Sequence, residues 1–149
     1  MAQFVNRLAI GSLIVGAMAV LVLMVLSFSA RGDEPAGEIR NVSWLAEDID
    51  GRGVIDDAQT TLKIDADGSV NGSGGCNRFM SRATIDVQKL TFKPAAATRM
   101  MCPPALMDQE QKFFSVMERT RSYAIDAETG KLLLRDETDK TIARLAQKN

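Results

Sequence analysis

The sequence predicts a mainly β domain with one helix (α+β), a small antiparallel β-barrel-like fold preceded by an N-terminal transmembrane or signal helix. Three observations predict this class: short segments that alternate apolar and polar residues, one stretch of helical periodicity, and a long apolar run near the start. The run leaves about residues 40 to 148 for a globular core, which fits one domain and leaves no room for two.

The apolar run extends from Leu8 to Phe28 without a charged side chain. A helix of that length spans the roughly 30 Å hydrocarbon layer of a bilayer. The run is longer than the apolar stretch of a cleaved signal peptide, which favours a retained anchor, although Ser27 and Ser29 suit a cut after Ser29. We therefore expect residues 1–30 to be a signal anchor or a signal peptide.

Residues 31–41 are charged and interrupted by Gly and Pro, which predicts a linker. The domain beyond it is expected outside the cytoplasm whether or not the apolar run is cleaved. If the run is uncleaved, the membrane itself is a partner through residues 8–28.

The charge balance argues against some classes of partner. The chain has 18 basic and 19 acidic residues, and a weakly acidic domain has no general attraction to nucleic acid or to anionic lipid headgroups. We therefore predict no nucleic-acid partner. The chain also has no histidine, the usual general base and the commonest zinc ligand. Neither a metal site nor a cofactor is predicted.

The soluble region alternates apolar and polar residues from Asn41 onward, which is the period-two pattern of half-buried strands. Turn-forming clusters at residues 50–51, 65–68, 128–130 and 136–139 separate the alternating segments. Short strands joined in this way predict an antiparallel sheet with one buried face, curled into a barrel. The alternating positions are Thr60, Leu62 and Ile64; Ile85 and Val87; Leu90 and Phe92; Tyr123 and Ile125; and Leu132 and Leu134.

One stretch has the period of a helix. Asp108 and Gln111 stand at capping-box spacing, and the apolar residues Phe113, Phe114 and Met117 follow a helical repeat. The pattern predicts a helix from about Asp108 to Arg121, with its apolar stripe packed on the sheet.

The glycine-rich segment at residues 71–78 has two interpretations. Such loops can cradle phosphate, but that use needs a helix after the loop and usually a Lys with Ser or Thr. Strand patterns lie on both sides here, which favours a bend at a barrel corner. Asp65 and Asp67 resemble the opening of a calcium loop, yet no Glu closes it, and turn aspartates are the simpler explanation.

Cys76 and Cys102 are the only two cysteines. In an oxidising compartment a pair in a small domain favours a structural disulfide. The alternative is a redox-active pair, although there is no Cys-x-x-Cys motif and neither cysteine begins a clear helix.

Several of these residues together resemble the META domain family, whose members include HslJ-like heat-shock proteins. The resemblance covers about residues 42–146. It rests on Trp44-Leu45; on the family motif Gly75, Cys76, Asn77 and Arg78 with Thr98, Met100 and Cys102; and on Gln109-Glu110 with Phe113. Asp139-Lys140 stands in the last turn where the family pattern has glycine.

The resemblance implies a small antiparallel barrel-like domain of the bacterial envelope, associated with stress and antibiotic tolerance. It implies a periplasmic domain that is anchored to the inner membrane, or secreted if the signal is cleaved. No catalytic residue carries over from the family. We expect a non-catalytic domain that binds a protein or envelope component, the alternatives being a barrel that binds a small apolar ligand and a thiol-redox protein using Cys76 and Cys102.

Overall fold

The computed structural model describes residues 38 to 148, in which ten strands form one sheet and a single helix follows the seventh strand. The strands are β1 Ser43–Ile49, β2 Arg52–Gly53, β3 Thr61–Ile64, β4 Ser69–Ser73, β5 Arg78–Asp86, β6 Lys89–Phe92, β7 Ala96–Ala97, β8 Ser122–Ile125, β9 Leu132–Arg135 and β10 Thr141–Gln147, and the helix is α1 Pro104–Arg119.

Eight strands close into a barrel in the order β1, β3, β4, β5, β6, β8, β9, β10, with β10 pairing back onto β1. Every strand pair in this ring is antiparallel. The predicted mainly β barrel with one helix is confirmed. The narrowest seam joins β6 to β8 through the single pair Lys89 and Ser122.

The core lies inside the ring because alternate residues of each strand point inward. In β3, for example, Leu62 and Ile64 are buried whereas Thr61 and Lys63 are partly exposed. The inward side chains are large and fill the interior. Together with Ile39 before β1 and two residues of α1, they make up the largest fully buried side chains: Ile39, Trp44, Leu62, Ile64, Phe79, Leu90, Phe113, Met117, Leu132, Leu134, Ile142 and Leu145.

Helix α1 crosses one end of the barrel. It contacts both β1 and β6, which lie opposite each other in the ring. Phe113 and Met117 of the predicted stripe are buried in the core together with Val116, which the sequence did not single out, whereas Phe114 is partly buried and packs against the core. The rings of Phe113 and Phe79 meet edge to face, with centroids 5.9 Å apart.

The helix begins earlier than the sequence predicted. Pro103 is the N-cap and Pro104 stands in the first turn, without a side-chain cap. Proline is favoured there because the first turn needs no N–H and because its fixed φ suits a helix start. The predicted start at Asp108 was therefore wrong, and Asp108 instead pairs with Lys112 one turn further along.

Two of the turns place a residue other than glycine in the left-handed conformation, Val87 and Asp139. Val87, predicted as part of a strand, lies in the two-residue turn between β5 and β6, with φ 53°. In the turn between β9 and β10, Asp139 adopts the left-handed conformation with φ 62°. Aspartate tolerates that conformation better than most residues. The final strand then pairs Thr141 with Arg135 before a register shift.

Ile39 is buried and Arg40 bridges to Ile64, so the folded region includes residues from Ile39 onward. The predictions for residues 1–30 lie outside the described residues, as does the linker up to residue 37. Between residues 38 and 148, no helix combines the length and the apolar character needed to cross a membrane.

Candidate functional site

The structure brings the two halves of the family motif together. Residues 74–77 form the corner between β4 and β5, and β7 pairs with the start of β5. The segment that leaves β7 therefore runs past the corner on its way to α1. We call this region the motif junction: residues 74–78, residues 98–102, and Thr60, Gln109 and Glu110, which pack against them.

Cys76 and Cys102 form a disulfide within the motif junction. Their sulfurs lie 2.07 Å apart and their Cα atoms 5.9 Å apart. Cys76 is buried at the corner, and Cys102 immediately precedes the prolines that begin α1. The bond therefore joins the barrel wall to the start of the helix.

Asn77 is the centre of the motif junction, and it is 3% exposed. Its Oδ1 accepts two hydrogen bonds, from the Thr98 hydroxyl (2.8 Å) and from the backbone N–H of Met100 (2.7 Å). Its Nδ2 donates to Glu110 Oε1 (2.9 Å). One side chain thus links the corner, the segment after β7 and helix α1.

Glu110 is a buried carboxylate on α1 that faces the corner. Besides the Asn77 side chain, its Oε2 accepts the backbone N–H of Asn77 at 2.6 Å. The approach requires glycine at position 74, because a Cβ there would lie 2.6 Å from Glu110 Cγ. The neighbouring Gly75 has φ 110°, a conformation that other residues rarely adopt.

Gln109 extends the hydrogen-bond network to the other side of the corner. Its Nε2 donates to the Ala58 carbonyl oxygen (3.1 Å) and to Thr60 Oγ1 (3.0 Å), and its Oε1 accepts the backbone N–H of Ile55 (2.8 Å). The Thr60 hydroxyl in turn donates to the Gly74 carbonyl oxygen at 3.0 Å. The loop before β3 is thereby fixed to the helix.

The buried polar groups of the motif junction therefore bond one another. In a low-dielectric interior such a network strengthens each bond and specifies one arrangement of the parts that it joins. The geometry holds three chain segments in register. It commits the amide of Asn77 and the carboxylate of Glu110 to internal partners.

The outer members of the motif junction face solvent. Arg78 is exposed on β5, Met100 is 56% exposed, and its neighbour Met101 is 93% exposed. The motif thus has a buried polar part, in which the side chain of Asn77 forms internal hydrogen bonds, and an exposed part that consists of Arg78, Met100 and the adjacent Met101.

The amides of both glycines in the corner donate to internal acceptors and do not point at a phosphate site. The N–H of Gly74 donates to the Asn77 carbonyl oxygen (2.8 Å) and the N–H of Gly75 donates to Ser73 Oγ (3.2 Å). Strand β5, rather than a helix, follows. The segment is therefore a bend between two strands at a corner of the barrel, which is the second of the two interpretations.

Asp65 and Asp67 are turn aspartates. Asp67 Oδ1 accepts the hydroxyl of Ser69 at 2.6 Å, and this bond is the main reason that the pKa of Asp67 lies below its usual value. Hydroxyl bonds from the following turn lower the pKa of Asp126 and Asp136 in the same way. The described residues contain no cluster of three His, Cys, Asp or Glu side chains arranged for a metal ion.

Sequence reasoning placed Gln109 and Glu110 in the family pattern without giving them a role, and it took Thr60 as an ordinary strand residue. A signal for the two helix residues was present. They precede Phe113 by four and three positions, so they share its buried face. Polar side chains on a buried face must find partners inside the domain.

These features define the class: a closed eight-strand antiparallel barrel with one helix across its end and a motif built into their junction. The META domain family model matches residues 37–149, and the chain belongs to that family. No curated protein matches the chain.

Two solved structures are similar in fold. A protein from Burkholderia xenovorans, solved by NMR, has a TM-score of 0.61 and 19% identity, over 81% of this chain and 94% of its own. A second NMR structure has a TM-score of 0.55 and 23% identity, over 72% of this chain and 89% of its own. Both likenesses concern the fold alone.

Proposed function

We propose that this protein is a non-catalytic domain of the bacterial envelope that contributes to stress or antibiotic tolerance by binding a protein or an envelope component. One observation carries the proposal. The buried polar groups of Asn77 and Glu110 form hydrogen bonds inside the domain. Arg78, Met100 and Met101, which lie beside them, face solvent. The buried hydrogen-bond network then serves to hold Arg78, Met100 and Met101 in place on the surface.

The barrel interior is a poorer candidate for a binding site. Trp44, Phe79 and Phe113 are among the large side chains that fill it, and α1 lies across one end. A barrel of eight strands is just wide enough for its own side chains. Binding is therefore proposed on the outer surface.

A deletion and complementation experiment in the source organism tests this function. Loss of the chain should lower survival under envelope-directed antibiotics, and the full-length chain should restore it. The variant Arg78→Gln/Met100→Ser/Met101→Ser should fail to restore survival although its melting temperature is unchanged. A matched surface variant, Arg52→Gln/Ile55→Ser, should restore it fully.

Two outcomes would contradict the proposal. One is unchanged survival in the deletion strain across the antibiotics and stresses tested. The other is appreciable turnover of an envelope substrate by the purified protein, because the proposal assigns the motif no reaction.

A further inference from the structure

We propose that one outer face of the barrel docks on a bilayer surface that carries anionic lipid headgroups. The face consists of Arg78, Met80, Lys93, Arg99, Met100 and Met101, and we call it the methionine face. The inference rests on the proposed function and names the envelope component as lipid.

Charge is segregated along the chain. Residues 76–104 contain five basic side chains and one acidic, whereas the other described residues contain 11 basic and 16 acidic. The net charge predicts no general attraction to anionic lipid, but it averages over two regions of opposite sign. A local basic region can still steer the domain onto a negative surface.

The fold collects the basic region on one outer wall. Strand alternation places Arg78 and Met80 outside the barrel and Phe79 inside. The segment after β6 runs antiparallel beside β5, since the N–H of Lys93 donates to the Arg82 carbonyl oxygen (2.8 Å) and the N–H of Thr98 donates to the Arg78 carbonyl oxygen (3.0 Å). Lys93 and Arg99 therefore flank the exposed part of β5.

Apolar side chains are exposed on the same wall. Met80 is 71% exposed, and Met100 and Met101 lie in the segment that passes the start of β5. These three are the majority of the five exposed large apolar side chains in residues 38–148. Exposed apolar side chains among basic ones are the pattern of surfaces that lie in the bilayer interface.

The basic side chains of the face are not engaged in ion pairs with the rest of the described domain. No ion pair within residues 38–148 involves Arg78, Lys93 or Arg99. Arg82, further along β5, differs: it donates to the Asp67 carbonyl oxygen at 3.1 Å and lies near the Asp67 carboxylate. We therefore leave Arg82 out of the face.

The shape of the face favours a membrane over a protein partner. The face lies on the outer wall of a closed barrel, which is convex, and a fluid bilayer needs no matching groove. The Met100 segment is held by Asn77 and by the disulfide, so little entropy is lost when it docks. Because the folded region begins at Ile39, a linker at residues 31–38 would reach roughly 26 Å at full extension, which keeps the domain near a membrane if the apolar run is an anchor.

Vesicle co-sedimentation of residues 37–149 tests the proposal without the apolar run. This stretch has its own core and disulfide, and the META domain family model matches it from end to end. It should bind vesicles of phosphatidylcholine with phosphatidylglycerol, bind phosphatidylcholine vesicles far more weakly, and dissociate as salt is raised.

Variants assign the binding to the methionine face. Arg78→Gln/Arg99→Gln should weaken partitioning onto the anionic vesicles by roughly 25-fold, about fivefold for each charge. Met100→Ser/Met101→Ser should also weaken partitioning onto the anionic vesicles. Its effect should be larger at high salt, where charge attraction is screened and insertion of the methionine side chains dominates binding. The control variants Arg52→Gln/Lys140→Gln and Ile55→Ser should bind like the parent.

Equal binding to both vesicle types, no binding to either, or equal loss in the face and control variants would overturn the proposal. Tight binding to polyglutamate that ignores the methionine changes would also overturn it and would assign the face to an acidic polypeptide. If the full-length chain restores antibiotic survival but residues 37–149 ignore vesicles, only the lipid partner is refuted, and the proposed function stands.

Discussion

At the scale of single residues, Asn77 has the most consequential position in the domain. A buried asparagine offers two donors and two acceptor sites, and here its Oδ1 and Nδ2 reach partners on two other segments. Removing its side chain would leave the buried Oε1 of Glu110 without the Nδ2 donor that it now accepts from. Unpaired buried groups cost more than a bonded pair contributes.

Asn77→Ala should lower the free energy of unfolding by about 3 kcal/mol, because it leaves buried donors and acceptors without partners. Asn77→Asp should be at least as damaging, since it sets a second carboxylate against Glu110. Urea unfolding followed by the fluorescence of Trp44 measures both. Asn71→Ala, at an exposed asparagine bonded to Asp65, is the control and should change stability by less than about 0.5 kcal/mol. A similar small effect for Asn77→Ala would contradict the network.

The sequence predicted the motif residues but not the bonds between them. The pairing of Cys76 with Cys102 follows from there being no other cysteine. Glu110 could not be assigned to Asn77 in the same way, because the two are 33 residues apart and meet only after the barrel closes. Distances that depend on closure are not encoded in local periodicity.

At the scale of elements, the hairpin between β5 and β6 carries local strain. Val87 has φ 53° and is 77% exposed. A β-branched side chain is rarely found in that conformation. The alternation of Ile85 and Val87 looked like a continuing strand, and pairing of Asp86 with Lys89 ends it one residue earlier.

Val87→Gly should raise the free energy of unfolding by about 1 kcal/mol, because glycine adopts positive φ without steric cost. The gain is visible as a higher melting temperature. Gln88→Gly, at the other turn position, is the control and should lower stability slightly, since it only increases the freedom of the unfolded chain. If Val87→Gly destabilises the protein, the assigned turn geometry is wrong.

The disulfide acts between two elements, the start of β5 and the start of α1. It closes a loop of 26 residues, so the double variant Cys76→Ala/Cys102→Ala should lose about 3.5 kcal/mol in the chain-entropy treatment. Chemical unfolding of the variant and of the oxidised parent measures the difference. A parent that is equally stable with and without reductant would contradict a stabilising role.

The sequence predicted that helix α1 exists but placed its first residue four positions too late, at Asp108 instead of Pro104. The apolar repeat located the buried stripe. The start was misplaced because Asp108 and Gln111 matched a capping box, whereas Pro103 and Pro104 were the stronger signal.

At the scale of the whole molecule, the barrel class was predictable because alternation, turn residues and one helical stretch agree with one another. The order of strands around the ring was not predictable from these patterns. The excess of basic residues in 76–104 can be counted in the sequence, but their position on one outer wall could not be predicted, since they meet only when the segment after β6 runs back along β5.

The central claim is that the family motif is an internal joint between the corner after β4, the segment after β7 and helix α1. Amide hydrogen exchange of the native protein, measured by NMR, tests it most directly. The N–H of Asn77 donates to Glu110 and the N–H of Met100 donates to Asn77, whereas no acceptor for the N–H of Met101 lies within residues 38–148. Exchange at Asn77 and Met100 should therefore be roughly 100-fold or more slower than at Met101. Exchange at all three positions at the rate of an open loop would contradict the claim.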